Sequence, residues 1–230
     1  MLTQTARRSG LNIRTATTGQ PTIPPVASHD LGGSIELMGA QMPFARNAEI
    51  FGEGEPADYL YKVVSGTVRT YKILSDGRRQ IGAFCLPGDM FGLELGQEHT
   101  FSAEAIADSK VLVIKRSAVD RLAERDNDVA RQLWALTGRE LKRVQEHLML
   151  LVKTAQERVA SFLLEMAGRA PTGNAIELPM SRQDIADYLG LTIETVSRTL
   201  THLENAAAIE LPSSRRVVLR NRTALGLLNG

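Results

Sequence analysis

The sequence predicts an α+β protein built from an N-terminal β-roll (a jelly roll), a long helix and a C-terminal winged helix-turn-helix. Short apolar runs separated by glycine between Glu49 and Lys115 predict the β-roll. After residue 125 the apolar residues recur every three or four positions, which predicts the long helix. From Thr154 onwards the order is helix, two short helices and a hairpin, as in winged modules. We therefore divide the chain into a polar tail at 1–28, a β-roll at 29–124, the long helix at 125–152 and the winged module at 153–230.

The composition excludes several classes of protein. With 43% apolar residues, 23% charged residues and a net charge of +1, the 230-residue chain has an ordinary soluble composition. Its single cysteine, Cys85, cannot form an intramolecular disulfide or hold an iron–sulfur cluster. No apolar run approaches the roughly 18 residues that a membrane-spanning helix needs. We expect a cytoplasmic protein that does not enter the membrane, and a small local basic surface can still bind nucleic acid.

Turn signals divide the β-region into short strands. The segment "YLYKVVSGTVRTYKIL" has a strand-like run on either side of Ser65-Gly66, and Asp76-Gly77 is typical of a hairpin turn. The segments "IGAFCLPGDMFG" and "FSAEAIADSKVLVIK" continue the pattern, which favours a sandwich or jelly roll. Cys85 lies in one of these runs between apolar neighbours. We expect it to be a buried structural thiol, with a redox switch as the alternative.

The long helix "NDVARQLWALTGRELKRVQEHLMLLVK" contains no proline and carries a continuous apolar stripe. A helix of about 26 residues would be about 39 Å long, which is more than one small β-domain can cover. The stripe therefore predicts a parallel homodimer of the two long helices, with packing inside one chain as the alternative. We expect dimer contacts from Leu133, Leu136, Leu141, Val144, Leu148 and Leu151.

The stretch "SRQDIADYLGLTIETVSRTLTHLE" predicts two short helices joined by a tight turn. Ser181 can cap the first helix, with Asp184 at the third helical position. Gly190 can adopt the left-handed conformation that ends this helix, and Thr192 can cap the second. The second helix should be anchored by its apolar residues Ile193, Val196, Leu200 and Leu203.

The opposite side of the second helix is polar, mostly within its first two turns. A recognition helix contacts base edges with its N-terminal residues, and Arg198 and Glu194 suit guanine and cytosine respectively. These two residues are one turn apart, so an intrahelical ion pair is the alternative explanation. Hydroxyls and charges at the hairpin tip suit phosphate contacts. The candidate contacts to double-stranded DNA are Glu194, Ser197, Arg198, Thr195, Thr192, Ser181, Arg182, Thr201, Arg215 and Arg216.

These motifs resemble the Crp/Fnr superfamily of bacterial transcription regulators over roughly residues 35–225. The likeness rests on "LPMSRQDIADYLGLTIETVSRTL" and on the glycine pattern of "FGEGEPADYLYKVVSGTVRTYKILSDGRRQIGAFCLPGDMFG". It implies a β-roll of the cNMP-binding type. The pattern Glu194, Ser197 and Arg198 resembles the FNR and FixK branch, whereas the cyclic-AMP receptor branch usually has Arg in place of Ile193.

The resemblance implies a homodimeric regulator, mainly an activator, of microaerobic respiration or nitrogen-fixation-related genes. The implied site is an inverted repeat of TTGAT-type half-sites. RNA polymerase is the further implied partner, with residues 76–87 and 170–174 as candidate contact surfaces.

The sensor departs from the branches of this family that bind an effector. No arginine lies between Arg79 and Arg116 to neutralise a cyclic phosphate, so we expect no cyclic nucleotide. A haem or another small effector in the β-roll is the alternative, although none of the four histidines stands in a distinctive pattern. Those histidines are His29, His99, His147 and His202. Only His99 falls in the β-region, which argues against a jelly-roll metalloenzyme, so we expect no catalytic residue, no metal and no cofactor.

Overall fold

The computed structural model of the protein describes residues 35–94, 96–169 and 173–229. The expected tail at 1–28 lies outside the described residues. Within them the prediction of an α+β chain with a β-roll, helices and a C-terminal winged module is confirmed. The helices of the described ranges include none long and apolar enough to cross a bilayer.

The β-roll consists of two antiparallel four-stranded sheets, with strand orders β1-β8-β3-β6 and β2-β7-β4-β5. The predicted turn at Ser65-Gly66 joins strands of different sheets and forms a corner of the roll. Gly66 has φ of +85°, and a Cβ there would lie 2.3 Å from Ser109 Oγ, so only glycine fits. The strands are β1 (Ala40–Phe44), β2 (Glu49–Phe51), β3 (Tyr59–Ser65), β4 (Val68–Ile73), β5 (Arg79–Cys85), β6 (Met90–Phe91), β7 (Ser102–Ala105) and β8 (Ser109–Lys115).

Two helices follow the β-roll, α1 (Arg116–Ala123) and α2 (Asn127–Leu150). The side chain of Asp126 caps α2 by accepting from the N–H groups of its first turn. With 24 residues, α2 is about 36 Å long, which confirms the prediction of one continuous helix.

The part of the apolar stripe nearest the β-roll does not face solvent. Leu136 is buried and Leu133 is half-buried, and both pack into a core cluster with Leu60 and Leu112 of the β-roll. Contacts within the same chain therefore cover these two side chains, which were predicted to lie in the dimer interface. The exposed apolar stripe is instead formed by Trp134, Leu141, Val144, Leu148 and Leu151.

The C-terminal module has the predicted helices and wing. Its elements are α3 (Ala155–Arg169), β9 (Ala175–Glu177), α4 (Arg182–Leu189), α5 (Ile193–Asn205), β10 (Ile209–Ser213), β11 (Arg216–Leu219) and α6 (Arg222–Asn229). Strands β10, β11 and β9 form a small antiparallel sheet. Helix α6 was not predicted from the sequence, although Asn221 caps it by accepting from the N–H of Ala224. Strand β1, which precedes the glycine-punctuated region, was not predicted either.

The winged module packs against the β-roll of the same chain. Ile81, Phe84 and Ile106 of the β-roll belong to the same core cluster as the buried residues of α3, α4 and α5. Tyr188 of α4 lies between the two parts, with its ring 5.2 Å from that of Phe84 and 4.3 Å from that of His147. The position of the helix-turn-helix is therefore tied to the β-roll by a shared apolar core.

Candidate nucleic-acid interface

The helix-turn-helix begins with a complete capping box. Ser181 Oγ accepts from the N–H of Asp184 at 3.1 Å, and Asp184 Oδ2 accepts from the N–H of Ser181 at 2.9 Å. Gly190 ends α4 with φ of +63°, in the left-handed conformation predicted from the sequence. Thr192 Oγ1 then caps α5 by accepting from the N–H of Thr195. These local bonds fix the turn that presents α5.

The buried side of α5 contains Val196, Leu200 and Leu203, in agreement with the predicted anchor. The fourth predicted member, Ile193, is 37% exposed. It is the first residue of α5, one turn before the first buried residue of that helix, Val196. The prediction that Ile193 faces the core is therefore wrong, because more than a third of its side chain is exposed.

Glu194, Ser197, Arg198 and Thr201 are exposed on the other side of α5. The pKa of Glu194 is lowered first by a hydrogen bond from its own backbone N–H and then by one from Thr192. The charge of Arg198 is the weakest of the contributions to that pKa. The carboxylate of Glu194 therefore interacts mainly with groups at the start of α5 and only weakly with Arg198.

Thr192 and Thr195 play a structural part that limits their freedom. Their hydroxyl oxygens lie 3.1 Å apart, and Thr195 is half-buried. Ser181 is exposed but also donates its hydroxyl proton to Asp184 Oδ2 at 2.8 Å. Ser181 and Thr192 therefore already serve as helix caps, and Thr195 is held by Thr192 through its N–H and its hydroxyl.

Arg182, the first residue of α4, is half-buried beside the turn. Burial lowers the pKa of Arg182, and its Nη1 is buried with no hydrogen-bond partner. A buried guanidinium nitrogen without a hydrogen-bond partner is energetically costly.

The wing presents two arginines with different surroundings. Arg215 and Arg216 are both exposed at the tip between β10 and β11. Arg216 Nε lies 3.6 Å from Glu177 Oε1 of β9, in a solvent-exposed ion pair that contributes little stability. Ser213 Oγ accepts from the N–H groups of both arginines and so shapes the tip. The wing can offer two cations to a phosphate backbone.

A groove runs beside α5, between its outer side and the start of α3. It has a volume of about 360 Å³. The residues that line it are Gln156, Thr195, Arg198, Thr199 and His202. Gln156 was not predicted as a site residue, because it lies on α3 and no local sequence pattern marks it.

Aromatic side chains stack on one another inside the β-roll. The ring of His99 stacks on that of Phe51 at 3.6 Å, and Tyr61 lies 5.0 Å from Phe51. His99 is buried, and its Nδ1 lies 3.3 Å from Glu94 Oε2. Its Nε2 is buried without a hydrogen-bond partner.

Two arginines of the β-roll donate hydrogen bonds through their Nη atoms to groups of the same chain. Arg116 donates to the carbonyl oxygens of Gly92, at 3.0 Å, and of Glu94. Arg69 donates to Glu104 and Asp184. Across the described ranges, no three His, Cys, Asp or Glu side chains form a group that could hold a metal ion.

Cys85 is buried in β5. Burial, and then the charge of Asp89, raise the pKa of its thiol to about 12. A thiol in this state is a weak nucleophile, because the reactive species is the thiolate. The environment favours the structural interpretation of Cys85.

Comparison with known proteins identifies both parts of the chain. Residues 41–126 match the cyclic nucleotide-binding domain and residues 157–228 match the Crp-like helix-turn-helix domain. The nitrogen fixation regulation protein FixK of Azorhizobium caulinodans is 56% identical over 85% of this chain and 81% of its own length. FixK of Rhizobium meliloti is 44% identical, over 77% of this chain and 81% of its own length.

The fold has a close counterpart among solved structures. FixK2 from Bradyrhizobium japonicum superposes with a TM-score of 0.81 and 52% sequence identity. The superposition covers 84% of this chain and 98% of that one. Taken with the exposed recognition helix, these matches show a DNA-binding regulator and not an enzyme. The chain belongs to the Crp/Fnr family of transcription regulators and, within it, to the FixK type.

Proposed function

We propose that the protein is a cytoplasmic homodimer that binds an inverted repeat of TTGAT-type half-sites and mainly activates transcription. The observation that carries this proposal is the outer side of α5, where Glu194, Ser197 and Arg198 are exposed together. An arginine can donate two hydrogen bonds to guanine, a glutamate can accept from cytosine, and the small Ser197 lets the helix enter the major groove. The further DNA contacts that we propose are Thr192, Thr195, Thr201, Ser181, Arg182, Arg215 and Arg216.

The proposed dimer uses the exposed stripe of α2. Trp134, Leu141 and Leu148 are each seven residues apart, and Val144 and Leu151 form a second row with the same spacing. Two such rows three and four residues apart are the a and d positions of a coiled coil. All five residues are exposed in the single chain, so a second copy is the natural cover. The proposed dimer contacts therefore begin at Trp134. Leu133 and Leu136 instead pack α2 against the β-roll of the same chain.

Several features support DNA binding without a cyclic nucleotide. His99, Phe51 and Tyr61 occupy the β-roll interior, and Glu94 is already paired with His99. An anionic phosphate there would lack a free arginine, since Arg116 holds backbone carbonyls. These contacts also count against the alternative of a haem or another effector bound in the roll.

The regulated genes and the contact with RNA polymerase come from the relatives and the family resemblance. Two relatives are named as nitrogen fixation regulation proteins, and we extend that role to this chain, together with microaerobic respiration. Of the candidate polymerase surface at 76–87, the tip at Asp76 to Arg78 is exposed, whereas Phe84 and Cys85 are buried. The second surface, at 170–174, has its first three residues outside the described ranges.

Binding of purified, ligand-free protein to a TTGAT inverted repeat tests the proposal. Fluorescence anisotropy at fixed salt would compare this duplex with a scrambled duplex of the same length. We expect specific binding at least about a thousandfold tighter than binding to the scrambled duplex. Equal affinity for both duplexes at every salt concentration would reject the proposal. Specific binding that appears only after a small molecule is added would favour the effector-dependent alternative.

A further inference from the structure

The helix-turn-helix is joined to the β-roll by a cluster of buried charges that involves none of the proposed DNA contacts except Ser181. Helix α4 lies on β5, the edge strand of one β-roll sheet. Two carboxylates of α4, Asp184 and Asp187, face two guanidinium groups of the β-roll, Arg69 and Arg79. All four side chains are less than a quarter exposed.

Asp184 uses both of its oxygens, each toward a different part of the molecule. Its Oδ2 accepts from the backbone and hydroxyl of Ser181, within the capping box. Its Oδ1 accepts from Arg69 Nη1 at 2.5 Å and from Arg79 Nη2 at 2.7 Å. The residue that shapes the start of α4 therefore also fixes α4 to the β-roll.

Arg79 makes a second contact one turn further along α4. Its Nε donates to Asp187 Oδ2 at 2.8 Å, so one guanidinium spans both carboxylates. Charge-assisted bonds to a planar guanidinium are directional, so this arrangement holds α4 in one position and rotation. Arg69 also donates through Nη2 to Glu104 Oε2 of the β-roll at 2.9 Å, which fixes the position of its guanidinium.

The cluster determines the placement of α5 because α4 and α5 form one unit. Gly190 and the Thr192 cap fix the turn between them, and α4 and α5 share the core residues Ile185, Leu189 and Val196. A small rotation of α4 on the β-roll would therefore be carried to α5. In a dimer, it would change the distance between the two reading helices.

We propose that Arg69 and Arg79 are positioning residues for DNA recognition, which set the spacing between the two half-sites by fixing α4 on the β-roll. This inference rests on the proposed dimer that reads an inverted repeat. Buried ion pairs often add little net stability, because desolvation offsets their attraction, but they restrict the geometry of the surfaces that they join. Removal of the pairing should therefore alter spacing discrimination more than the contacts of one half-site.

The test compares Arg79→Gln with Arg78→Gln. Both variants lose one positive charge, but Arg78 is exposed and pairs with Asp76 inside its own hairpin. Each protein would be titrated with the inverted repeat, with repeats one base pair longer or shorter between the half-sites, and with a single half-site. The discrimination is the ratio of the affinity for the correct spacing to that for an altered spacing. We expect Arg79→Gln to lower this ratio at least about fivefold, while Arg78→Gln leaves it unchanged. Affinity for the single half-site should be the same for both variants.

The outcomes separate the two proposals. If the wild-type protein does not discriminate between spacings, the proposed dimeric recognition fails. If it does discriminate and Arg79→Gln discriminates equally well, the positioning role is rejected. If Arg79→Gln does not fold, Asp187→Asn serves as a second variant, because it removes the charge of the residue that pairs with Arg79. We expect it to lose spacing discrimination to the same extent. Arg79→Lys should restore part of the discrimination, since it returns the charge without the second hydrogen bond.

Discussion

Trp134 and Leu136, two residues apart in α2, face opposite environments: Trp134 is 83% exposed, and Leu136 is 7% exposed against the β-roll. The helix thus has two apolar sides with different partners. One side completes the core of its own chain, and the other has no cover within the protomer. The exposed side is the one that the proposed dimer must bury.

Leu148→Arg should separate the proposed dimer, because it places a charge in the middle of the exposed stripe. Light scattering should give a monomer mass for this variant and a dimer mass for the wild type. Leu227→Arg is the control, since it makes the same change at an exposed leucine of α6. An unchanged mass for Leu148→Arg would place the interface elsewhere.

Fluorescence provides an independent measure of the same interface. Trp134 is the only tryptophan in the sequence. Burial in the dimer should shift its emission to shorter wavelength than in the Leu148→Arg monomer, since the indole leaves water. Identical emission spectra, together with a dimer mass for the wild type, would show that Trp134 lies outside the contact.

Arg198→Ala should weaken binding to the cognate repeat by about 1–3 kcal/mol and relax the preference for guanine. Arg215→Ala, in the wing, should weaken binding to cognate and scrambled duplexes alike and lower the salt slope by about one. Anisotropy titrations at several salt concentrations separate the two effects. A loss of the same size on scrambled DNA for Arg198→Ala would show that this arginine holds only phosphate.

Cys85 should be inert in the folded protein, because burial raises the pKa of its thiol to about 12 and covers the sulfur. At about pH 8, a thiol reagent should modify the native protein much more slowly than the urea-unfolded protein. Fast and complete modification of the native protein would revive the redox-switch interpretation.

Asp184 should make stability depend on pH in the acid range. Burial raises its pKa, but the hydrogen bonds from Ser181 and the charges of Arg69 and Arg79 outweigh burial and lower it below 3.8. Because the pKa of Asp184 is lower in the folded state, its ionised carboxylate stabilises the fold at pH values above the pKa of the unfolded state. This contribution is lost as the pH falls through the folded-state pKa.

Asp184→Asn should therefore lower the free energy of unfolding at neutral pH and flatten its decline below about pH 4. Urea unfolding at a series of pH values measures both effects. Asp76→Asn is the control, since Asp76 is exposed at a hairpin tip and solvent screens its interactions. If the free energy of unfolding falls with pH in parallel for the wild type and Asp184→Asn, this carboxylate does not contribute to the pH dependence of stability.

Local signals in the sequence were sufficient to predict the order of most of the helices and strands. The caps at Ser181 and Thr192 and the left-handed turn at Gly190 depend on residues within four positions of one another, and all three were predicted. The polar outer side of α5 followed from helical periodicity alone. The missed helix α6 is short, with eight residues, and its burial depends on contact with the distant helix α3.

The sequence by itself determined the fold class, the family and the candidate reading helix, because glycines, caps and apolar periodicity act over a few residues. Tertiary structure alone decided which side of α2 stays exposed, that Ile193 emerges from the core, and that Asp184 is buried against Arg69 and Arg79. Each of these depends on packing between residues that lie far apart in the chain. A periodic pattern gives the side of a helix that is apolar, but only packing determines which partner covers it.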